Sequence, residues 1–249
     1  MIDFHSHVLP KIDDGAKNVE TSLRMLEESK RQGVKTIVCT PHYYGRKRSP
    51  EAMVKKRQDA YAMIAEQVPE GLEIRFGSEV FFSKDTVVKA EELSMLCIEG
   101  TRYIMLELPM QAKYDQRLFD KIESFIYETD CIPVIAHVDR YPAVQRKPSI
   151  LKRLAELGCL FQLNAEAFEA KGVKSLAYAL LRKGMVHAIG SDMHNDEDRA
   201  PNMKIAREAL SLLPAEVEER ITAMEQAILS DEKIVPEVKS IHKLFGKYF

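Results

Sequence analysis

The chain lacks any C-x-x-C pair: Cys39, Cys97, Cys131 and Cys159 stand far apart, three of them in apolar surroundings ("IVCT", "DCIPVI", "LGCLFQL"). That pattern predicts buried, reduced thiols rather than disulfides or thiolate metal sites. A cysteine-dependent phosphatase also needs an arginine six positions after its thiolate, where the phosphate-cradling loop ends. Here those positions hold Gly45, Tyr103, His137 and Ala165, so that chemistry is excluded. Net charge is equally scarce. With 36 Lys and Arg against 38 Asp and Glu, the formal charge of -2 argues against a general binder of nucleic acid or membrane surfaces. No apolar run approaches the roughly 18 residues of a membrane span, and no basic region with an apolar stretch marks a signal peptide. Internal repeats, low-complexity tracts and linkers are missing too. These absences predict a cytoplasmic protein with no membrane insertion and no nucleic-acid partner, built as a single domain over residues 1–249.

What the sequence has is alternation. "MIDF", "VKTIVCT", "LEIRFGS", "RYIMLEL", "CIPVIAHV", "CLFQLNA" and "MVHAIGS" are short apolar runs that read as strands. Between them, "NVETSLRMLEESKRQG", "PEAMVKKRQDAYAMIAEQ", "DQRLFDKIESFIYET", "PSILKRLAELG" and "VKSLAYALLRKG" carry apolar residues at helical spacing, with Gly33, Gly158 and Gly184 as stops. Strand-helix repetition predicts a parallel sheet, and seven strands favour an α/β barrel over an open sheet. From about residue 201, "PNMKIAREALSLL", "AEVEERITAMEQAIL" and "VKSIHKLFGKYF" read as C-terminal helices.

In a parallel barrel, functional groups gather at the carboxyl ends of strands. There the sequence puts nearly every isolated imidazole or carboxylate. His5 and His7, at i and i+2, point the same way from the first strand. His42 follows the second in "CTPHYY", Glu79 ends the third in "RFGSEV", and Glu107 lies in the fourth in "YIMLELP". His137 ends the fifth in "VIAHVDRY", and Asp192 and His194 end the seventh in "AIGSDMH". A carboxylate inside an apolar strand costs several kcal/mol unless paired or metal-bound, so salt bridges are the rival for Glu79 and Glu107. His187, at the start of a strand, and His242, on the C-terminal helix, stay outside the site. With Asp14, the set comprises nine oxygen or nitrogen donors and no thiolate, which predicts Mn²⁺, Mg²⁺, Fe²⁺ or Zn²⁺ and more than one ion.

The ordered motifs "DFHSH", "DDGA", "TPH", "GSE", "LEL", "AHVDR" and "SDMHNDEDR", from Met1 to about Pro201, resemble the polymerase and histidinol phosphatase (PHP) family. Within it they are similar to the manganese-dependent bacterial protein-tyrosine phosphatases of capsule and exopolysaccharide clusters, the CpsB/YwqE type. The resemblance implies a distorted (β/α)7 barrel with three divalent metal ions, manganese first among them. One would be held by His5, His7, Glu79 and Asp192, a second by Glu79, Glu107 and His137, and a third by Asp14, His42 and His194, with Glu79 bridging the first two. Carboxylates at Asp14 and Glu107, where several relatives carry His, match the tyrosine-phosphatase branch and make the site harder.

The resemblance further implies hydrolysis of phosphotyrosine, with a bacterial tyrosine kinase as the protein substrate. Arg140 and Arg199, from "HVDR" and "HNDEDR", would clamp the phosphoryl oxygens; surface ion pairs with Asp139 or Asp198 are the alternative for them. A histidinol-phosphatase-like small-molecule activity is the rival enzyme reading, and a metal-binding interaction module the non-enzymatic one. The loop "HYYGRKRSP", with Tyr43, Tyr44, Arg46, Lys47 and Arg48, is assigned by no motif; a rim for an anionic peptide and a solvated loop both fit it.

Overall fold

The structure, a computed structural model, describes residues 1–83, 90–244 and 246–248. In chain order it runs β1 (Ile2–Ser6), α1 (Val19–Arg31), β2 (Thr36–Cys39), β3 (His42–Tyr43), α2 (Pro50–Ala62), β4 (Glu73–Phe76), β5 (Glu79–Phe81), α3 (Ala90–Ser94) and β6 (Tyr103–Glu107). Then follow α4 (Gln116–Thr129), β7 (Ile132–Ile135), α5 (Pro142–Arg146), α6 (Ser149–Glu156), β8 (Leu160–Asn164), α7 (Lys174–Arg182), β9 (Ala188–Gly190), α8 (Met203–Ser211) and α9 (Ala215–Leu229). A hairpin of β10 (Lys243–Leu244) and β11 (Lys247–Tyr248) comes last. Asn18, Ser49 and Asp115 cap α1, α2 and α4 by accepting backbone N–H bonds, the usual work of short polar side chains at helix starts.

All seven expected barrel strands are present, but two are broken. "VKTIVCT" bends at Thr40-Pro41 into β2 and β3, and "LEIRFGS" bends at Gly77-Ser78 into β4 and β5. Pro41 has no N–H to give a ladder. The pairing nevertheless continues through the break, because Gly77 N–H donates to Cys39 O (2.8 Å) and Glu79 N–H to Pro41 O (3.1 Å). The parallel orders β1-β2-β4 and β3-β5-β6-β7-β8-β9 therefore run on as one curled wall. The wall closes where Asp192 N–H donates to His5 O (2.8 Å) and His7 N–H to Met193 O (2.9 Å). Closure demands a residue without a side chain at Gly190, since a Cβ there would lie 2.5 Å from His5 Cβ. β1, β2, β8 and β9 are buried along their whole length, as strands covered on both faces must be.

The chain end differs from its expected helix. After α9 no helix forms among the described residues; the segment around Pro236 has no regular secondary structure, and Gly246 (φ +77°) lies between the two strands of the β10-β11 hairpin that follows. Gly246, inside the expected helix, takes a left-handed backbone that a helix cannot continue through, and the segment is held instead by side chains. Tyr103 Oη bonds Glu232 O (2.5 Å), while Tyr248 Oη and Lys243 Nζ both reach Gln145 O (2.6 and 2.9 Å). His242 lies exposed just before β10 rather than on a helix. Phe245 and Phe249, part of the same expected helix, lie outside the described residues. Among the described residues no helix is long and apolar enough to cross a membrane.

Candidate metal centre

All nine expected donors converge on the mouth of the barrel. His5 and His7 project from β1 and its end, and their Nε2 atoms stand 3.2 Å apart. Each also faces the same two carboxylate oxygens. Glu79 Oε2 lies 3.3 Å from His5 Nε2 and 3.4 Å from His7 Nε2; Asp192 Oδ1 lies 3.6 and 3.5 Å away. Donors about 2.1 Å from a shared divalent ion are separated by about 3.0 Å in an octahedron and about 3.4 Å in a tetrahedron, so the spacing fits a common cation.

Tautomers decide whether these contacts are hydrogen bonds instead. Gln162 Oε1 accepts from His137 N–H (2.7 Å), and Gln162 Nε2 donates to Leu163 O and Asn164 Oδ1, which fixes the amide's orientation. His5 Nδ1, 3.1 Å from that oxygen, must therefore carry a proton. His7 Nδ1 lies 2.7 Å from Asp13 Oδ2. Burial raises the Asp13 carboxyl, but His7 and the Gly15 and His42 N–H groups more than reverse this and hold it at about 2, so His7 Nδ1 is the donor. Both Nε2 lone pairs thus point into one space already flanked by two carboxylates. Without a cation such an arrangement is repulsive. The carboxylates make both rings strong bases: burial favours their neutral forms, yet Glu79 and Asp192 beside His5, and Asp13 and Glu79 beside His7, raise both basicities above the ordinary imidazole value.

The other donors continue the cluster. His137 Nε2 lies 3.0 Å from Glu79 Oε1 and 3.9 Å from Glu107 Oε1. Burial and the charge of Glu79 raise the Glu107 carboxyl. Asp14 Oδ1 sits 3.4 Å from His42 Nε2 and 3.6 Å from His194 Nε2, and His7 joins these three in one group of donors within 4.8 Å of one another. His42 faces both ways, its Nδ1 approaching Glu79 Oε2 at 2.8 Å, so it also groups with Glu79 and Glu107. His194 Nδ1 donates to Asp192 O (2.9 Å), leaving Nε2 as a lone pair. Among the described residues, His137 Nδ1 and His194 Nε2 are buried without a hydrogen-bond partner. His137 (φ +34°) and Asp192 (φ +53°) both occupy the left-handed region, a strain of order 1–3 kcal/mol each that tends to collect at functional sites.

Arg140 and Arg199 pair with neither Asp139 nor Asp198. Both reach Asp192: Arg140 Nη1 meets Oδ2 at 2.6 Å and Arg199 Nη2 meets Oδ1 at 2.8 Å. Asp139 is instead buried and accepts Asn164 N–H (3.0 Å). Each guanidinium is about two-fifths exposed and faces the opening. Three residues of the centre escaped sequence reasoning: Asp13, which orients His7 and accepts His42 N–H (2.9 Å); Gln162, which orients His5; and Asn164, whose amide donates to Asp192 Oδ2 (3.1 Å). A lone Gln and Asn in the otherwise apolar "CLFQLNA" were the visible trace. Gly15 belongs here as well, because a Cβ would meet His7 O at 2.1 Å.

A seven-stranded parallel barrel with this donor set at its carboxyl end is a barrel of the PHP type. More narrowly, the chain belongs to the CpsB/CapC family of capsular polysaccharide synthesis, whose model matches residues 1–225. It is 33% identical over 220 residues to the tyrosine-protein phosphatase CpsB of Streptococcus pneumoniae, covering 85% of this chain and 90% of that one. It is 30% identical to the tyrosine-protein phosphatase YwqE of Bacillus subtilis (strain 168), over 99% of both chains. A crystal structure from work on YwqE and CpsB, described there as unique metal-dependent tyrosine phosphatases, shares the fold. Its TM-score is 0.84 at 24% identity, over 98% of this chain and 100% of that one.

Proposed function

We propose that this chain is a divalent-metal-dependent protein-tyrosine phosphatase, working in the cytoplasm on a bacterial tyrosine kinase of capsule or exopolysaccharide synthesis. The observation that carries the reading is the pair of buried imidazole lone pairs at 3.2 Å, both Nδ1 protons committed elsewhere, facing Glu79 and Asp192. The names of the relatives, all within the same family, supply the substrate class.

Three ions, manganese first among the candidates, would be held by His5, His7, Glu79 and Asp192; by Glu79, Glu107 and His137; and by Asp14, His42 and His194. Carboxylates outnumbering what one ion needs, with no thiolate, favour the harder metals. When bound, the ions supply Lewis acidity to the phosphoryl oxygens and to an attacking water. The protein's own groups do the rest. Asp13 and Gln162 lock the two β1 imidazoles in the tautomer that presents Nε2 inward. Arg140 and Arg199 each hold Asp192 with one part of the guanidinium fork and keep further N–H donors for the non-bridging phosphoryl oxygens. Cys39 does not compete as nucleophile: burial pushes its thiol up to about 12. Cys97 and Cys131 approach to 3.6 Å as free thiols, both buried.

The test is steady-state hydrolysis of a phosphotyrosine peptide and of histidinol phosphate, with Mn²⁺ and with chelator, alongside elemental analysis of protein purified without chelator. We expect more than one divalent ion per chain, chelator-sensitive turnover, and a higher kcat/KM for the peptide. A Cys39→Ser protein should keep that turnover. Preference for histidinol phosphate would move the chain to small-molecule chemistry, and a metal-free active protein would overturn the centre.

A further inference from the structure

The loop after β3 leads straight out of the metal centre. Tyr43 is buried and contributes nothing to the surface. The Tyr44 ring, by contrast, stands 5.6 Å from the His42 ring and 5.7 Å from the Phe81 ring. Lys47 Nζ lies 4.6 Å from the centre of the Tyr44 ring, and a turn bond from Lys47 N–H to Tyr44 O (2.8 Å) holds it there. Stepping outward, then, a donor imidazole is followed by an aromatic ring and then by a cation.

Beside this stack opens a cavity of about 280 Å³, lined by Ile12, Asp13, Asp14, Tyr44, Lys47 and Arg48 along with His42. Its two carboxylates are already engaged: Asp13 holds His7 and two backbone N–H groups, and Asp14 faces His42 and His194. Its two cations differ: among the described residues no carboxylate lies within ion-pair distance of Lys47 or Arg48. Arg48 Nη1 donates to the Met53 sulfur (3.9 Å), and Lys47 covers Tyr44. Behind them Lys56 donates to Ile12 O (2.6 Å), its basicity lowered by burial and by the charge of Arg48. Cations with no carboxylate in ion-pair reach attract an anionic group, and the cavity runs from the donors His42 and Asp14 at its inner end to Lys47 and Arg48 at its rim. A phosphotyrosine with its phosphate among those donors extends its peptide backbone and neighbouring side chains outward, toward that rim.

We propose that this cavity is a subsite for an acidic side chain flanking the phosphotyrosine, received by Lys47 and Arg48 with Tyr44 as its wall. The proposal rests on the phosphatase reading above and adds the sequence preference of its substrate. Two charge-assisted contacts at a partly exposed site should give roughly a 5–30-fold preference, one that shrinks as salt screens it.

The test compares two phosphotyrosine peptides, alike except for Glu or Gln beside the phosphotyrosine, on the manganese-loaded full chain at low and high salt. We expect wild type to favour the Glu peptide in kcat/KM, less so at high salt. Lys47→Glu combined with Arg48→Glu should invert the ratio, and Lys47→Arg should restore it. If the double reversal misfolds, Lys47→Gln and Arg48→Gln should each lower the ratio, which is independent of the amount of active protein. A wild-type ratio near one, or a ratio the variants leave unmoved, overturns the subsite while peptide hydrolysis still stands. Hydrolysis of neither peptide by metal-loaded wild type overturns the phosphatase reading first, and the subsite with it.

Discussion

His187 and His194 flank the same short strand, β9, and both are buried, yet they differ in what their nitrogens meet. His187, toward the barrel floor, accepts Phe161 N–H at Nδ1 (3.0 Å) and packs against the Phe161 ring; burial pushes it down to about 4, so it is a neutral residue with a settled partner. His194, at the mouth, donates to Asp192 O and leaves Nε2 buried with no partner among the described residues, and burial together with the charge of His7 pushes it down to about 3. The same contrast runs through the two ends of the barrel. On the floor side Asp3 accepts from Ser191 N–H and Oγ–H, and Glu225 accepts Ile189 N–H. Buried polarity alone therefore does not mark function; buried lone pairs that converge on each other do.

The largest effect should come from cutting into that convergence. His5→Ala or Asp192→Ala should bring turnover to background and lower bound metal, measured by peptide hydrolysis and elemental analysis on folded protein. His187→Gln should keep turnover and lose only stability. If His187→Gln cost as much activity as His5→Ala, the distinction between mouth and floor would collapse.

Next come the arginines, which face the opening from outside the donor set. Arg140→Ala or Arg199→Ala, at saturating metal, should lower kcat/KM by about 2–3 kcal/mol of transition-state contact, roughly 30–150-fold, without emptying the centre. Metal loss at saturating concentration would assign that arginine to holding Asp192 in place rather than to the phosphate. One step further from the chemistry, Asp13→Asn should weaken metal affinity by about 10–100-fold, because His7 would lose the charged partner that sets its tautomer. Titration of metal into apo-protein reads this directly, and an unchanged affinity would make Asp13 a purely structural turn residue.

The donors were legible because each is an isolated polar residue at the carboxyl end of an apolar run, where burial is costly without a partner. The strand order was legible for the same reason, from apolar runs alternating with helical spacing. What escaped depends on three-dimensional closure. Nothing in "DDGA" says that Asp13 turns inward beneath His7 while Asp14 stays mostly exposed, since the two differ by a single position in a loop. The bends at Pro41 and Gly77 become breaks because the wall must curl at the mouth. Cys97 and Cys131, 34 positions apart, meet where the chain between α3 and β6 comes against the residue preceding β7, and sequence spacing is silent on that. The terminal segment misled because its apolar residues are spaced well enough for a helix, whereas anchoring by Tyr103 and Gln145 is a tertiary matter.

The smallest expected effect on turnover lies on the floor, at Glu225, and there pH is the probe. Burial within the packing of α9 against β9 pushes this carboxyl up to about 8, offset partly by Ile189 N–H and the charge of the Met1 amino group and reinforced by Asp3. In the unfolded chain the same group has an ordinary carboxylate value of about 4.3. Between those values the folded protein holds a proton that the unfolded chain has released. Its contribution is therefore fully present below about pH 4, falls as pH rises, and is lost through about pH 8. At about 1.4 kcal/mol per pKa unit the linked loss is at most on the order of 4–5 kcal/mol, less where water reaches the site. Glu225→Gln keeps an acceptor for Ile189 N–H but has nothing to titrate. In urea unfolding with chelator present, wild type should lose stability from pH 5 to pH 8 more steeply than the variant, while the two metal-loaded proteins turn over substrate alike. Parallel slopes would mean that Glu225 reaches a charged, hydrated state without unfolding the barrel, and the floor would then share the openness that separates the mouth from it.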